Sequence, residues 1–383
     1  MKVLHVININ AVGGAEKLLI DFLPALRNEG SEIYCIILCP SKNNIAANNI
    51  RSKLESNGIK VYFREYTSLF SLFNFQWIRK IAREVTPDLL HTHLRYADIW
   101  IVALKSFGFL KCPVVSTVHG YNDRYMNKHG LQVAKGIKFT FYYWSIRWVS
   151  KRLNGLVFIS NCMFDFYKKC NFIGNGRSTV IYHGYAINDF PSKEENKEWF
   201  KDEIKLVLPG RIVERKGHKY ALEALAILRS RSKNASLHFL GEGPFRSFLE
   251  KECVRLKVSD YVFFHGFVEN LVEELLNYDI ALLPSYWEPF GLVFLDAFAA
   301  KLPVVAFDIP AGNEIVENER NGFLVQPFDS RALVNAIVKL SEDKSLCINF
   351  GNMGYVDLNS KFSMSVMTNK YLSFYNLLLT SEQ

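Results

Sequence analysis

Short apolar runs rich in Val, Ile and Leu alternate along this chain with longer stretches whose apolar residues recur every three or four positions. A run of four to eight apolar residues bounded by turn residues marks a buried strand, and the longer period is that of a helix lying against it. "KVLHVIN" (2–8) predicts a first strand, Gly13-Gly14 a turn, and residues 15–28 an amphipathic helix. "EIYCIIL" (32–38), "DLLHTH" (88–93), "PVVSTVH" (113–119), "GLVFIS" (155–160) and "STVIYHG" (178–184) read as further strands. A charged stretch, "SKEENKEWFKDE" (192–203), interrupts the pattern, which then restarts with "IKLVLPGR" (204–211) and a helix over 219–231. "ASLHFLGEG" (235–243), "VFFHGFV" (262–268), "IALLPS" (280–285) and "PVVAFD" (303–308) continue it, and "MTNKYLSFYNLLLT" (367–380) is a last apolar-faced helix.

Alternating strand and helix favours an α/β fold of two open parallel sheets, with the boundary in 192–203. Ligand sites are then expected at the carboxyl ends of the strands, and a substrate held by both domains would lie in a cleft between them. The chain has 383 residues, 49% hydrophobic and 22% charged, enough for two packed cores. Its seven cysteines are scattered without a C-x-x-C pair, which fits a reducing cytoplasm and argues against a zinc site. The first residues read as a strand and not as a signal peptide, and no run approaches the ~20 apolar residues needed to cross a bilayer. A net charge of +8 suits phosphorylated substrates, anionic lipid or nucleic acid. The last is disfavoured, because no basic run or aromatic RNA-binding motif is present.

The chemistry-bearing stretches all follow predicted strands. "LPGRIVERKG" (208–217) sets Arg211 and Lys216 in a loop, where a guanidinium fork and an ammonium can hold a diphosphate or stand as solvated surface cations. "FLGEGPF" (239–245) carries Gly241 and Gly243, which permit close backbone approach to a flat ligand or serve an ordinary tight turn. Gly13 and Gly14 precede a helix whose free N–H groups favour an anion, but no G-x-G-x-x-G or P-loop pattern follows, so a nicotinamide dehydrogenase is disfavoured. In "SYWEPFGLVFLD" (285–296), Glu288 sits in a Pro/Gly loop and Asp296 a turn into the next helix. Two carboxylates at different depths suit two separate diols, since an unpaired buried carboxylate is costly. His91 and His93 in "HTH" are read as pointing to opposite faces of a strand, hence as poor joint metal ligands.

Taken in order, "GGAEK", "GRIVERKG", "GEGP", "SYWEPFGLVFLDAFAAKLPVV" and "NEIVENERNGFLV" resemble the retaining glycosyltransferases of family 4, with the GT-B fold and an E-x(7)-E motif. The resemblance covers essentially the whole chain. It implies Rossmann-like domains over 1–191 (acceptor) and 192–365 (nucleotide-sugar donor), facing across a cleft, and a helix over 366–383 that packs back on the first. By this resemblance Arg211 and Lys216 neutralise the donor diphosphate in place of a metal. Glu288 bonds hydroxyls of the donor hexose, the backbone at Phe290, Gly291 and Leu292 binds sugar and phosphate, and Asp296 takes the ribose diol. His119, ending "STVHG", matches the active-site histidine, Gly14 lies by the diphosphate, and Glu314 matches a family acid of no assigned role.

The expected activity is a retaining, metal-independent transfer of a hexose from a nucleotide-diphosphate sugar, a UDP-sugar favoured. The acceptor implied is a glycan or lipid-linked saccharide of surface polysaccharide synthesis (O-antigen or capsule), with the enzyme in the cytoplasm or peripheral on the inner membrane face. No D-x-D pair occurs, consistent with the metal-free reading. Two departures stand out: Asp296 is one methylene shorter than the family Glu, and "HGYAINDF" (183–190) stands where Asn-Gly-Val-Asp is usual. A non-catalytic nucleotide-sugar or glycan-binding module with the same fold is the alternative. The aromatic and basic segment 137–153 places Ile137, Phe141, Trp144 and Trp148 on one helix face, read first as core and second as a membrane-interface surface, with Phe70, Phe73, Phe75 and Trp77 a weaker patch.

Overall fold

A computed structural model describes all residues except 10–12, 41–43, 69–70, 122–125, 128–129, 132–139, 188–198, 201–202 and 381–383. It divides into two compact units: Met1–Met126, Leu131–Ala186 and Met364–Gln383 form the first, Asn127–Gly130 and Ile187–Ser363 the second.

In unit 1 the strands are β1 (Lys2–Asn8), β2 (Glu32–Pro40), β3 (Lys60–Tyr66), β4 (Leu89–His93), β5 (Val114–Val118), β8 (Gly155–Phe158) and β9 (Arg177–Val180). A two-stranded pair, β6 (Met126–Asn127) and β7 (Gly130–Leu131), lies apart from them. The main sheet is parallel, in the order β3-β2-β1-β4-β5-β8-β9. Its helices are α1 (Gly14–Asn28), α2 (Asn44–Ser56), α3 (Leu72–Val85), α4 (Arg95–Ser106), α5 (Phe141–Ser150) and α6 (Asn161–Lys169). The period of two along β1 feeds two cores. Leu4 and Val6 pack with Ile78, Trp100, Ile146 and Met163 of α3 to α6. Val3 and Ile7 pack with Phe22 of α1, Leu54 of α2 and Tyr371, Phe374 and Tyr375 of the last helix, α13 (Met364–Thr380). The last helix is thus part of unit 1, as expected, and its Phe374 and Leu378 lie so close to Gly155 that a Cβ there would force both side chains to shift.

In unit 2, β10 (Ile204–Pro209), β11 (Ala235–Leu240), β12 (Val262–Gly266), β13 (Ile280–Leu283), β14 (Val304–Phe307) and β15 (Gly322–Val325) form a parallel sheet in the order β12-β11-β10-β13-β14-β15. Helices α7 (His218–Ser230), α8 (Arg246–Leu256), α9 (Leu271–Leu275), α10 (Leu292–Ala299), α11 (Ser330–Glu342) and α12 (Lys344–Lys361) complete it. In each sheet the strand order reverses beside the first strand of the unit: between β1 and β4, and between β10 and β13. Connections leave in opposite directions there and open a crevice at the strand ends.

Besides the short pair β6 and β7, two strands of the larger sheets, β3 and β15, were not expected from the pattern. Both lie on sheet edges. An edge strand is half covered, so "KVYFREY" carries no continuous apolar run, and its residues are half-buried or exposed.

Candidate functional site

At the reversal point of unit 2, the loop after β10 and the loop after β13 meet. Residues Glu214–Lys216 form one 3-10 turn, which ends at Gly217 with φ +74°. A Cβ on Gly217 would collide with the Pro284 carbonyl oxygen, so glycine is what lets the two loops touch. The Tyr286 N–H donates to the Arg215 carbonyl oxygen at 3.0 Å and fixes their register.

This contact brings Lys216 and Glu288 together, both buried: Nζ lies 2.5 Å from Oε1. Arg215, which the sequence reading passed over, supplies the second cation, with a nitrogen 3.3 Å from Glu288 Oε2 and 3.2 Å from the Trp287 carbonyl oxygen. Its guanidinium also lies over the Trp287 ring, 5.3 Å from the centroid. Burial alone would raise the Glu288 pKa; the Lys216 ammonium, and after it the Arg215 guanidinium, outweigh that and hold the carboxyl below its usual range. The signal for Arg215 was the buried acid itself, since a carboxylate has two oxygens and "ERK" offers adjacent cations.

Arg211 stands in the same loop but is exposed, and no ion pair holds it among the described residues. Two cations therefore face the Glu288 carboxylate, and Arg211, exposed in the same loop, is a further positive charge at this end of the sheet. Gly291, at φ +109°, precedes α10, so Leu292 begins that helix as expected, and its first N–H groups are at the crevice. The Phe290 side chain is buried, 6.1 Å from the ring of Phe362, so only its backbone is available to a ligand. Asp296 is half-buried in α10, and Glu314 lies at the end of a 3-10 turn, Gly312–Glu314. At Gly241 and Gly243 the structure shows a close backbone contact, in keeping with the tight-turn alternative. Cβ atoms there would strike the carbonyl oxygens of Gly210 and Ile212, so the room they leave is filled by the neighbouring loop.

In unit 1, Gly14 is exposed at the start of α1. The preceding Gly13 N–H donates to Glu16 Oε2 at 2.9 Å, so a carboxylate of the chain already meets this helix end. Burial raises the Glu16 pKa, against the pull of the Glu16 and Gly13 backbone N–H groups. The histidines overturn one expectation. Residues two apart on a strand share a face, and His91 and His93 do so, with ring centroids 4.2 Å apart. The β1–β4 register sets His5 opposite His91, and the three side chains lie together in the interior. His91 bonds Tyr375 Oη of α13 through Nδ1 (2.5 Å) and Thr117 Oγ1 through Nε2 (2.8 Å). His119 is half-buried at the end of β5, with Nε2 3.1 Å from His93 Nδ1 and Nδ1 3.2 Å from His183 Nε2.

The aromatic face read as core is also corrected. On α5 the buried aromatic and aliphatic side chains are Tyr143, Ile146 and Val149, whereas Phe141 is 73% and Trp144 56% exposed. Trp148 is half-buried, and Ile137 and Phe70 lie outside the described residues. The helix starts at Phe141, so the sheet selects the face about one position away from the one chosen. Phe73 is exposed, while Phe75 and Trp77 pack at the rim of the core.

Comparison with known proteins agrees with this architecture. Residues 12–188 match the family described as Glycosyltransferase Family 4, and residues 189–357 match Glycosyl transferases group 1. EpsD of Bacillus subtilis, a protein named as a glycosyltransferase, is 28% identical over 291 residues, 73% of this chain and 74% of EpsD. CapM of Staphylococcus aureus, named as a capsular polysaccharide biosynthesis glycosyltransferase, is 24% identical over 237 residues, 61% of this chain and 62% of CapM. The crystal structure of Anabaena Alr3699/HepE in complex with UDP superposes with a TM-score of 0.78 at 20% identity, covering 98% of this chain and 100% of that one. With one glycosyltransferase domain in each half and a Rossmann-like parallel sheet in each unit, the chain is a glycosyltransferase of the GT-B fold.

Proposed function

We propose that this protein transfers a hexose from a UDP-sugar to a glycan or lipid-linked saccharide during assembly of a surface polysaccharide, with retention and without a metal. The observation that carries this reading is the buried Lys216–Glu288–Arg215 cluster with exposed Arg211 in the same loop. A diphosphate is a dianion or more, and fixed cations beside helix N-termini stabilise it without reorganising as the bond breaks. In this reading Arg211, Lys216 and the N–H groups at Gly291 and Leu292 hold the diphosphate, while Glu288 accepts from hexose hydroxyls and Asp296 from the ribose. The Phe290 backbone borders the sugar. His119 and Gly14 take the roles that their match to the family implies, and Gly241 and Gly243 shape the loop against which the base would lie.

The reaction breaks the bond from the anomeric carbon to the diphosphate oxygen as the acceptor oxygen bonds the same face. The acceptor proton passes to the departing phosphate oxygen. Polysaccharide synthesis is supported by the printed name of CapM, and UDP by the complex of HepE. Contact with the cytoplasmic face of a membrane is supported by Phe141 and Trp144, exposed on α5, a helix that carries Arg147 and is followed by exposed Lys151 and Arg152. Among the described residues no helix is long and apolar enough to cross a membrane.

The test is UDP release from a panel of UDP-hexoses in excess EDTA, with wild type and Glu288→Gln. A transferase cleaves one donor, and the variant falls by two orders of magnitude or more. Binding without cleavage of any donor, only weakened in the variant, would make the chain a non-catalytic binding module. Strict Mg²⁺ or Mn²⁺ dependence would contradict the metal-free clamp. Sedimentation with anionic but not neutral vesicles, lost in Trp144→Ser, tests the membrane contact.

A further inference from the structure

Four imidazoles form a continuous row in unit 1. His5 Nδ1 lies 3.0 Å from His93 Nε2, His93 Nδ1 lies 3.1 Å from His119 Nε2, and His119 Nδ1 lies 3.2 Å from His183 Nε2. A neutral imidazole has one N–H and one bare nitrogen, and each link requires one of each. If His5 donates from Nδ1, His93 accepts at Nε2 and must carry its proton on Nδ1, and the same step then fixes His119 and His183. If His5 carries its proton on Nε2 instead, all four rings carry it there. Only these two arrangements satisfy every link, and in both the four rings share one tautomer.

We propose that His93 and His5 are positioning residues that hold the ring orientation of His119 and lock its tautomer to their own. The proposal rests on the reading of His119 as the active-site histidine. Both nitrogens of His119 are engaged by other rings, so the ring cannot spin freely and its proton cannot move alone. The row ends at a fully buried ring: His5 Nε2 has no hydrogen-bond partner among the described residues. A wire with a closed end conducts nothing, so the row holds a proton arrangement and does not pass protons along.

Burial keeps the rings neutral. It lowers the pKa of His93 and His119 well below the usual value, with the neighbouring histidines adding to the effect, and lowers His5 and His183 to about 3 and about 4. Among the described residues, the polar groups packed around His5 and His93 include His91 on β4, Thr117 on β5, and the hydroxyls of Tyr371 and Tyr375 on α13. No carboxylate or cation pairs with His5, His93 or His119 among the described residues. His119 therefore acts as a neutral, pre-oriented hydrogen-bonding group.

The ligand atoms of His5, His91 and His93 lie within 4.8 Å of one another, which also describes a metal site. Both nitrogens of His91 and of His93 are already hydrogen-bonded, and a metal would break those bonds, so the row is favoured.

The experiment is long-range ¹H–¹⁵N spectroscopy of the full chain labelled at histidine, with the rings assigned by single His→Gln variants. The expected result is four neutral rings of one tautomer from pH 6 to 8. In His93→Leu, His119 and His183 stay matched to each other while His5 is released from the constraint. UDP-hexose cleavage is expected to fall about tenfold or more in kcat with little change in KM for His93→Leu. His93→Gln, whose amide offers both a donor and an acceptor, is expected to recover most of it. Opposite tautomers within the row, an imidazolium at pH 7, or stoichiometric Zn²⁺ binding lost in His5→Phe would overturn the row while leaving the transferase reading intact. A shared tautomer with unchanged cleavage in His93→Leu would overturn the positioning role, and absence of cleavage in wild type would fall on the transferase reading instead.

Discussion

Lys216 Nζ lies 2.5 Å from Glu288 Oε1, and this ion pair joins the loop after β10 to the loop after β13 where the strand order of unit 2 reverses. Glu288 also faces Arg215, so one buried carboxylate organises two cations that would otherwise repel each other. Such a pair holds geometry more surely than it adds stability, because desolvating the charges offsets much of their attraction.

Removing one partner is different from never having the pair. Lys216→Met leaves Glu288 buried with Arg215 alone and should lower the stability of unit 2 by about 3 kcal/mol. Urea denaturation of wild type and variant checks this. A change under about 0.5 kcal/mol, the usual range for surface positions, would mean that the pair is not formed in solution.

Gly217 and Gly210 give a matched comparison. Both have positive φ, but a Cβ on Gly217 strikes the Pro284 carbonyl oxygen, while on Gly210 its nearest neighbour is Val293 Cγ1 at 3.6 Å. Gly210→Ala should cost only the strain of its backbone, about 1–2 kcal/mol, and Gly217→Ala clearly more. Thermal melts that put the two variants level would show that the loops do not touch.

The hydroxyl of Tyr375 is the partner of buried His91 Nδ1. Tyr375→Phe keeps the ring and removes the hydroxyl, leaving a buried nitrogen unsatisfied at about 1–3 kcal/mol. Hydrogen exchange in β4 and α13 should rise together. Exchange confined to the last turns of α13 would contradict the link between that helix and the histidine cluster.

Stability should fall in mild acid. His5 and His218 have pKa values lowered by burial to about 3, and His183 to about 4. Each takes up a proton in the unfolded chain near pH 6.5 but not in the folded one. Their contribution is therefore complete above about pH 6.5 and is lost as the pH drops, at about 1.4 kcal/mol per pH unit for each. Asp98 runs the other way: burial raises its pKa to about 6, so protonation favours the folded state as pH falls from there. Glu16 and Asp21, also raised by burial, act in the same sense as Asp98. His91, His93 and His119, all lowered well below the usual value, tip the balance to the histidines. Denaturation at pH 7.5, 6 and 5 should show decreasing stability, and a level profile would contradict the buried neutral rings.

The central strands were legible because parallel sheets bury both faces and leave unbroken apolar runs such as "CIIL" of β2 and "IALL" of β13. Edge strand β3 was not, since a half-covered strand keeps charged residues, and β15 was not because the four residues "GFLV" are too short a run to stand out. At the site, Glu288 and Lys216 were readable from type and spacing. Arg215 was not, because adjacent cations in one loop look alike until a tertiary contact picks which one turns inward. The histidine row escaped notice for a similar reason: it is built across β1, β4, β5 and the segment after β9, and only strand register aligns them. The pairing of His91 with His93 was available from strand period alone and was misjudged.

Arg211 is exposed and unpaired among the described residues, so it can be removed without disturbing the fold, whereas the proposed clamp depends on it. Calorimetric titration of wild type and Arg211→Ala with UDP, GDP and ADP in excess EDTA tests the donor site most directly. Wild type should bind UDP saturably, and the variant about tenfold to a hundredfold more weakly for the loss of a charge-assisted bond, with unchanged thermal stability. Failure of wild type to bind any of the three, or equal binding of UDP by both proteins, would contradict the proposed clamp.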